Sequence, residues 1–383
     1  MNWKVPLTDV TVGEEEIQAA TNVLRSGWLT QGERVAAFES AFAEALGVRH
    51  AVAVTNGTAA LHLAYAVAGL GPEDEFIVPA LTFAATMNAG IYLGARPVLA
   101  DCASEDDLTI SVEDVVRKIT PKTRVIVPMA YGGFCPDLAR LRDLARDLGI
   151  VLIEDAAHAP LARLDGRAVG SFGLAGCFSF FGNKNMTTGE GGLIVTDDEA
   201  VAGRLGRLRS HGMSSVAWDR HAKHAAGYDI SALGYNYRLD EMRAAVGLEQ
   251  LKKLPEATRR RSDAAALLRV GIERLGIEGL SVPFTHPRGE SVHHIFAILL
   301  PEGTDRFHFR RELAADGVQT SMHYPLLHRF AYSREIFARG GSEGLPVAES
   351  IENRLVTLPM GPHLDRDKID LVVKSVGRVL SDA

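Results

Sequence analysis

The apolar positions of this chain alternate between two spacings. Val35, Phe38, Phe42 and Leu46 recur at helical intervals, which predicts an amphipathic helix over about 33–46. His50-Ala51-Val52-Ala53-Val54-Thr55 reads as a strand and Asn56-Gly57 as a turn. The alanine-rich stretch Thr58–Ala68 reads as a helix closed by Gly69 and Gly71. Short apolar runs at Phe76–Pro79, Arg96–Asp101 and Thr123–Pro128 predict three more strands. Leu138, Leu141, Leu144 and Leu148 mark a helix that leads into a strand at Val151–Ile153. Strands alternating with helices imply an α/β fold whose mostly parallel sheet is covered on both faces. Such sheets bind ligands beyond the carboxyl ends of their strands, where Asp101, Asp155 and the Asn56-Gly57 turn all fall.

A second, smaller α/β region follows. Strands are expected at Ile295–Leu300 and Thr320–Tyr324, with helices near Asp305–Asp316 and Asp365–Leu380. The expected division is a large domain over 1–250, including the N-terminal segment, and a small C-terminal domain over 251–383. The run Arg259-Arg260-Arg261 is expected to be a solvated helix face. Ser214–Leu233, rich in His, Ala and Gly without periodicity, reads as a long functional loop.

Composition narrows the function. Hydrophobic residues make up 46% and charged residues 23% of the 383 positions, as in ordinary globular proteins. The net charge is -7 and no basic block stands out, which disfavours nucleic acid as a partner. Three cysteines do not make a disulfide framework and fit a reducing cytoplasm. The N-terminus lacks the apolar core of a signal peptide, and no apolar run reaches the length of a membrane span.

The candidate chemistry centres on Lys184. It stands between the apolar run Phe178-Ser179-Phe180-Phe181 and the glycine-rich turn Thr187-Thr188-Gly189-Glu190-Gly191-Gly192. A lysine at the rim of a core has its pKa lowered by desolvation, which frees the amine for Schiff-base chemistry. About thirty residues earlier a strand ends in Glu154-Asp155. A strand-end acid and a turn-borne lysine suit a pyridoxal phosphate site, with Asp155 against the pyridine nitrogen and Lys184 on the aldehyde. Asp155 also suits a helix cap for Ala156-Ala157. His158, one helical turn on, is placed to pack on the ring or bond its hydroxyl, and equally suits a plain buried histidine. Gly57, Thr58 and Ala59 open a helix after a strand, which gives a phosphate free amides and a positive dipole end. Ser179 is placed to add a hydroxyl. Phe83 is placed to stack on the ring or to fill the core. Dinucleotide-binding and P-loop glycine patterns are missing where a strand would deliver them. Metal is disfavoured, since no acid or cysteine completes a ligand set with His221, His224, His293 or His294.

Taken together, these segments resemble the DegT/DnrJ/StrS family of sugar aminotransferases, of the aspartate-aminotransferase fold type I, over nearly the whole chain. Ser26–Gly32 is similar to its N-terminal substrate loop and Asn56–Leu61 to its phosphate turn. Glu154-Asp155-Ala156-Ala157-His158 is similar to its pyridine-binding motif, Lys184 to its Schiff-base lysine and Gly234–Leu239 to the segment whose asparagine, here Asn236, reaches the cofactor of the neighbouring subunit. His323-Tyr324-Pro325 and Leu358-Pro359-Met360 are similar to C-terminal motifs. The resemblance implies a homodimer with shared active sites, glutamate or glutamine as amino donor, and a keto group on a nucleotide-linked sugar as acceptor. Trp28, His323 and Tyr324 are the expected sugar contacts. Val216–Arg220 is similar to a loop in relatives that aminate C4 of UDP-sugars. Retention of Lys184 disfavours the dehydratase branch, in which histidine replaces it. A cyclitol ketone as acceptor, or a non-catalytic cofactor-binding regulator, stays open.

Overall fold

The computed structural model describes residues 3–9, 11–214, 229–338 and 340–381. Strands β1 (His50–Val54), β2 (Glu75–Pro79), β3 (Arg96–Ala100), β4 (Thr123–Ile126) and β5 (Val151–Asp155) follow one another along the chain. A small hairpin of β6 (Arg163–Leu164) and β7 (Arg167–Ala168) then precedes β8 (Ala175–Ser179) and β9 (Gly192–Thr196). Seven of them form one sheet in the order β1-β9-β8-β5-β4-β2-β3. All pairs from β3 across to β8 are parallel, and β9 runs antiparallel to both neighbours. This is the mostly parallel sheet of the fold type expected above.

β2 and β9 are buried at every position, as strands covered on both faces must be. One face packs on the helices Gly57–Val67 and Ala84–Ile91, around Tyr65, Phe76 and Leu99. The other packs on the helix Glu33–Leu46, where Phe38 and Phe42 meet Phe180 and Phe178 edge-on at 5.3 and 5.1 Å. Strand alternation sorts the polar residues. Ile153 and Cys177 belong to the first face, Phe178 and Phe180 to the second. Asp155 and Ser179 therefore share the first face, while Glu154 turns to the second. There the Glu154 carboxylate accepts the amides of Gly170, Phe172 and Gly173 at 2.6, 2.6 and 2.9 Å. Burial nevertheless raises its pKa to about 7.

A second core forms around the antiparallel pair β10 (Phe296–Leu299) and β11 (Leu355–Leu358), with the helices Arg306–Ala315 and Arg366–Ser381. Val5 is buried in this core. The 34-residue helix Glu241–Arg274 joins the two regions. Its Ala244, Leu251 and Leu254 pack on the large sheet, and its Ala264, Ala265, Leu268 and Ile272 on the small one. Among the described residues, no helix is long and apolar enough to cross a membrane.

Two expectations are corrected. Thr320–Tyr324 is not a strand. Ser321 and Thr357 exchange one pair of backbone hydrogen bonds at 3.0 and 2.9 Å, and the pairing stops there. The Thr320 carbonyl goes to Arg310, Tyr324 turns toward His158, and Pro325 has no amide to donate. The run Arg259–Arg261 is also not uniformly solvated. Arg259 and Arg260 are exposed and paired with Glu256, but Arg261 is only 2% exposed. It stands three and four residues before Ala264 and Ala265, on the inward stripe of the helix.

Candidate active site

Lys184 is presented by a loop that closes on itself beyond β8. The Phe180 amide donates to Gly191 O and the Thr188 amide to Phe180 O, at 2.8 and 3.0 Å. The Lys184 amide donates to Phe181 O at 3.0 Å. Phe180 is buried below, so the lysine stands where the core meets a cavity. Burial lowers its pKa to about 8, and the negative charge of Asp155 opposes that shift. Asp155, at the end of β5, lines the same cavity of about 470 Å³. Its Oδ2 accepts from Thr86 Oγ1 at 2.6 Å and its Oδ1 from the Ala157 amide at 3.2 Å. Burial raises its pKa, while these hydrogen bonds and Lys184 pull it down.

His158 lines the cavity beside them. Residues Ala156–Pro160 form a turn, not the helix that the sequence spacing assumed, so His158 joins Asp155 through that turn. Its Nδ1 accepts the Gly132 amide at 3.3 Å, and its Nε2 lies 2.9 Å from Tyr324 Oη. Burial and nearby Lys184 hold its pKa well below the usual value, so the ring is neutral. With Nδ1 accepting, the proton sits on Nε2 and Tyr324 Oη accepts it. The tyrosine's own O–H is thereby released for another acceptor. His294 packs at 4.1 Å from the His158 ring and is itself held by Asn185 at 2.9 Å. His323 lines the cavity with Nδ1 at 3.0 Å from Thr357 Oγ1. Phe83, 55% exposed at the start of its helix, is not a core residue; its ring lies 5.6 Å from that of Tyr324.

The far end of the cavity is the N-terminus of the helix Gly57–Val67. Asn56 caps it by accepting the Ala59 amide at 2.8 Å. Ala59 is thus spent on the cap, and the Gly57 and Thr58 amides are the ones left to an anion. Ser179 stands against Gly57, where an added Cβ would come within 2.8 Å of Ser179 Cβ. Only glycine lets the strand end approach the helix so closely.

A sequence profile of the DegT/DnrJ/EryC1/StrS aminotransferase family matches residues 10–377. The chain belongs to this family. It is 36% identical to the spore coat polysaccharide biosynthesis protein SpsC of Bacillus subtilis, over 100% of this chain and 98% of that protein. The aminotransferase TlmJ from Streptoalloteichus hindustanus superposes with a TM-score of 0.90 at 32% identity, covering 99% of this chain and 100% of that one. DesV of S. venezuelae, solved with a ketimine intermediate, superposes with a TM-score of 0.88 at 35% identity over 98% of both chains.

This member of the family is therefore a pyridoxal phosphate-dependent aminotransferase. The residues lining the cavity fit that cofactor. A buried carboxylate, an amine, free helix amides with a hydroxyl, and flanking aromatic rings are the partners that a cationic ring nitrogen, an aldehyde, a phosphate and a flat ring require. Asn183 Oδ1, buried in the same cavity wall without a partner among the described residues, is a further open acceptor. Thr86, Gly132 and Asn183 were not singled out from the sequence, and His294 was weighed there only as a metal ligand. They come from a helix and from loops far apart in the chain and carry no local signal. Two expected residues are not brought to this cavity. Trp28 is half-buried and donates Nε1–H to Gln31 O at 3.3 Å. Asn236 is exposed beside Ser210. Val216–Arg220, His221 and His224 lie outside the described residues, among which no side chains group as a metal site.

Proposed function

We propose that this aminotransferase moves an amino group from glutamate, or glutamine, to a keto group of a nucleotide-linked keto-deoxysugar, with one site serving the two substrates in turn. The observation that carries this reading is Lys184, its pKa lowered to about 8, sharing one buried cavity with Asp155 in a sugar-aminotransferase fold. SpsC, named for polysaccharide biosynthesis, supports sugar as the acceptor class. When bound, pyridoxal phosphate supplies a carbonyl that condenses with amines and a ring that takes up electrons from the broken Cα–H bond.

The chain's residues do the rest. Asp155, fixed by Thr86 and Ala157, holds a positive ring nitrogen by charge. Gly57, Thr58 and Ser179 bind the phosphate, and Phe83 and His158 flank the ring. Lys184 Nζ would hold the cofactor aldehyde and, as a free amine, would take the proton from the donor Cα and carry it on Nζ. A pKa of about 8 leaves an appreciable fraction of the free amine unprotonated at neutral pH, which this step needs. His323 and the freed Tyr324 O–H face the substrate side. Asn236, exposed on its own chain, reaches the phosphate of a second copy in a homodimer. The enzyme works in the cytoplasm.

The test is spectral. Glutamate should bleach the yellow colour of the holoenzyme, and a nucleotide-linked keto sugar should restore it. Colour that persists with glutamate and glutamine, or that returns with a keto-cyclitol and with no sugar nucleotide, would overturn the reading.

A further inference from the structure

We propose that Arg261 anchors a carboxylate of the amino donor in a second cavity that shares Lys184 with the first. The inference rests on the transaminase reading above and deepens it. This cavity holds about 420 Å³, within the range of small-ligand sites. It is bounded by the long helix Glu241–Arg274, by Thr11 and by His363.

The charges around it are nearly all spoken for. Lys253 Nζ is held by Glu15 and Glu16 at 3.0 and 2.8 Å. Arg260 Nε is held by Glu256 at 2.9 Å. His363 donates Nε2–H to Pro6 O at 3.1 Å, and burial lowers its pKa, so it stays neutral. Asp9 lies exposed at the rim. Arg261 is the exception. It is 2% exposed and pairs with no carboxylate among the described residues. Nη1 makes its three contacts, with the carbonyls of His293, His294 and Met360, at 3.3 to 3.5 Å. Nε is buried with no acceptor. Burial lowers the pKa of the guanidinium to about 10, which still leaves it charged.

A buried cation without an anion is costly, and carbonyl oxygens offset that cost only in part. An arriving anion completes the pair, and the guanidinium fork matches a carboxylate in two-point contact. One uncompensated charge matches one carboxylate better than a diphosphate, which brings at least two. Lys184 borders both cavities, so a donor held at Arg261 lies in a space that the lysine also lines.

The probe is glutarate, which has two carboxylates and neither an amine nor a ketone. Calorimetric titration into the holoenzyme should show binding that glutamate displaces and UDP does not. Arg261→Gln should weaken it by about tenfold to a hundredfold, the loss of a charged hydrogen bond. Arg261→Lys should fall between, and Lys253→Ala should leave it within about twofold, as a cation already paired. Undetectable glutarate binding to the wild type, displacement by UDP, or unchanged affinity in a folded Arg261→Gln variant would overturn the proposal. The first two outcomes need no variant and hold even where Arg261→Gln fails to fold. Glutarate binding that depends on Arg261 without turnover of glutamate would break the functional reading and leave the anchor standing. Turnover with Arg261-independent glutarate binding would do the reverse.

Discussion

Thr86 Oγ1 donates a 2.6 Å hydrogen bond to Asp155 Oδ2, from the first turn of one helix to the end of a central strand. The bond favours the ionised carboxylate against the burial that raises its pKa. Thr86→Val removes the donor and keeps the shape. The Asp155 pKa then rises further, and the acid limb of kcat/KM against pH should move up by about one to two pH units, the worth of a hydrogen bond to a charged group. An acid limb that stays in place would show that Asp155 does not need this support.

Glu154, one residue away and on the opposite face, has a different consequence. Its pKa is about 7 in the folded chain against an ordinary value of 4.5. Between those values the folded state binds more protons than the unfolded state, so stability falls as pH rises through this window. The full effect is about 3 kcal/mol. Urea unfolding at pH 5 and pH 8 should show the wild type losing stability, with Glu154→Gln removing most of that slope. Equal slopes in the two proteins would assign the pH dependence elsewhere.

Asp101 directly follows the end of β3, much as Asp155 closes β5, yet it serves the fold. Its oxygens accept the amides of Val347 and Ala348 at 2.9 and 2.7 Å, at the start of the helix Pro346–Ile351. Asp101→Ala should cost about 2–4 kcal/mol in urea unfolding, from a lost cap and buried amides left without an acceptor. The absorbance of bound cofactor should be unchanged below the unfolding transition. A variant as stable as the wild type would mean that solvent replaces the carboxylate.

In the proposed homodimer, Asn236 and Lys184 belong to one site built from two chains. Lys184→Ala alone and Asn236→Ala alone should each be inactive. Refolding or exchanging them together in equal amounts should restore about a quarter of wild-type activity, since half of the dimers then carry one intact site of two. Mixtures as inactive as the separate variants would place Asn236 and Lys184 in the same chain's site, or remove Asn236 from it.

Much of this was legible along the chain. The helix Glu33–Leu46, the strand Val151–Asp155 and the helix start at Gly57 follow from apolar spacing and turn residues, which are local signals. Lys184 and Asp155 stood out because an amine and an acid beside apolar runs imply burial. Other readings failed where spacing was the sole guide. The three arginines at 259–261 look alike in sequence, but helical rotation sends Arg261 inward and leaves its neighbours in water. Thr320–Tyr324 has a strand's composition and lacks a partner beyond Ser321.

The sequence by itself determined the main order of strands and helices, the strand-end acid, the loop lysine and the glycine at a helix start, because periodicity and backbone freedom act over a few residues. Only the tertiary structure decided which polar groups meet. Thr86 reaches Asp155, Gly132 sets the tautomer of His158, and Arg261 is left without an acid among the described residues, because each depends on packing between segments far apart in the chain. Partner choice among buried polar groups is set by which of them desolvation forces together, and that is a property of the folded core.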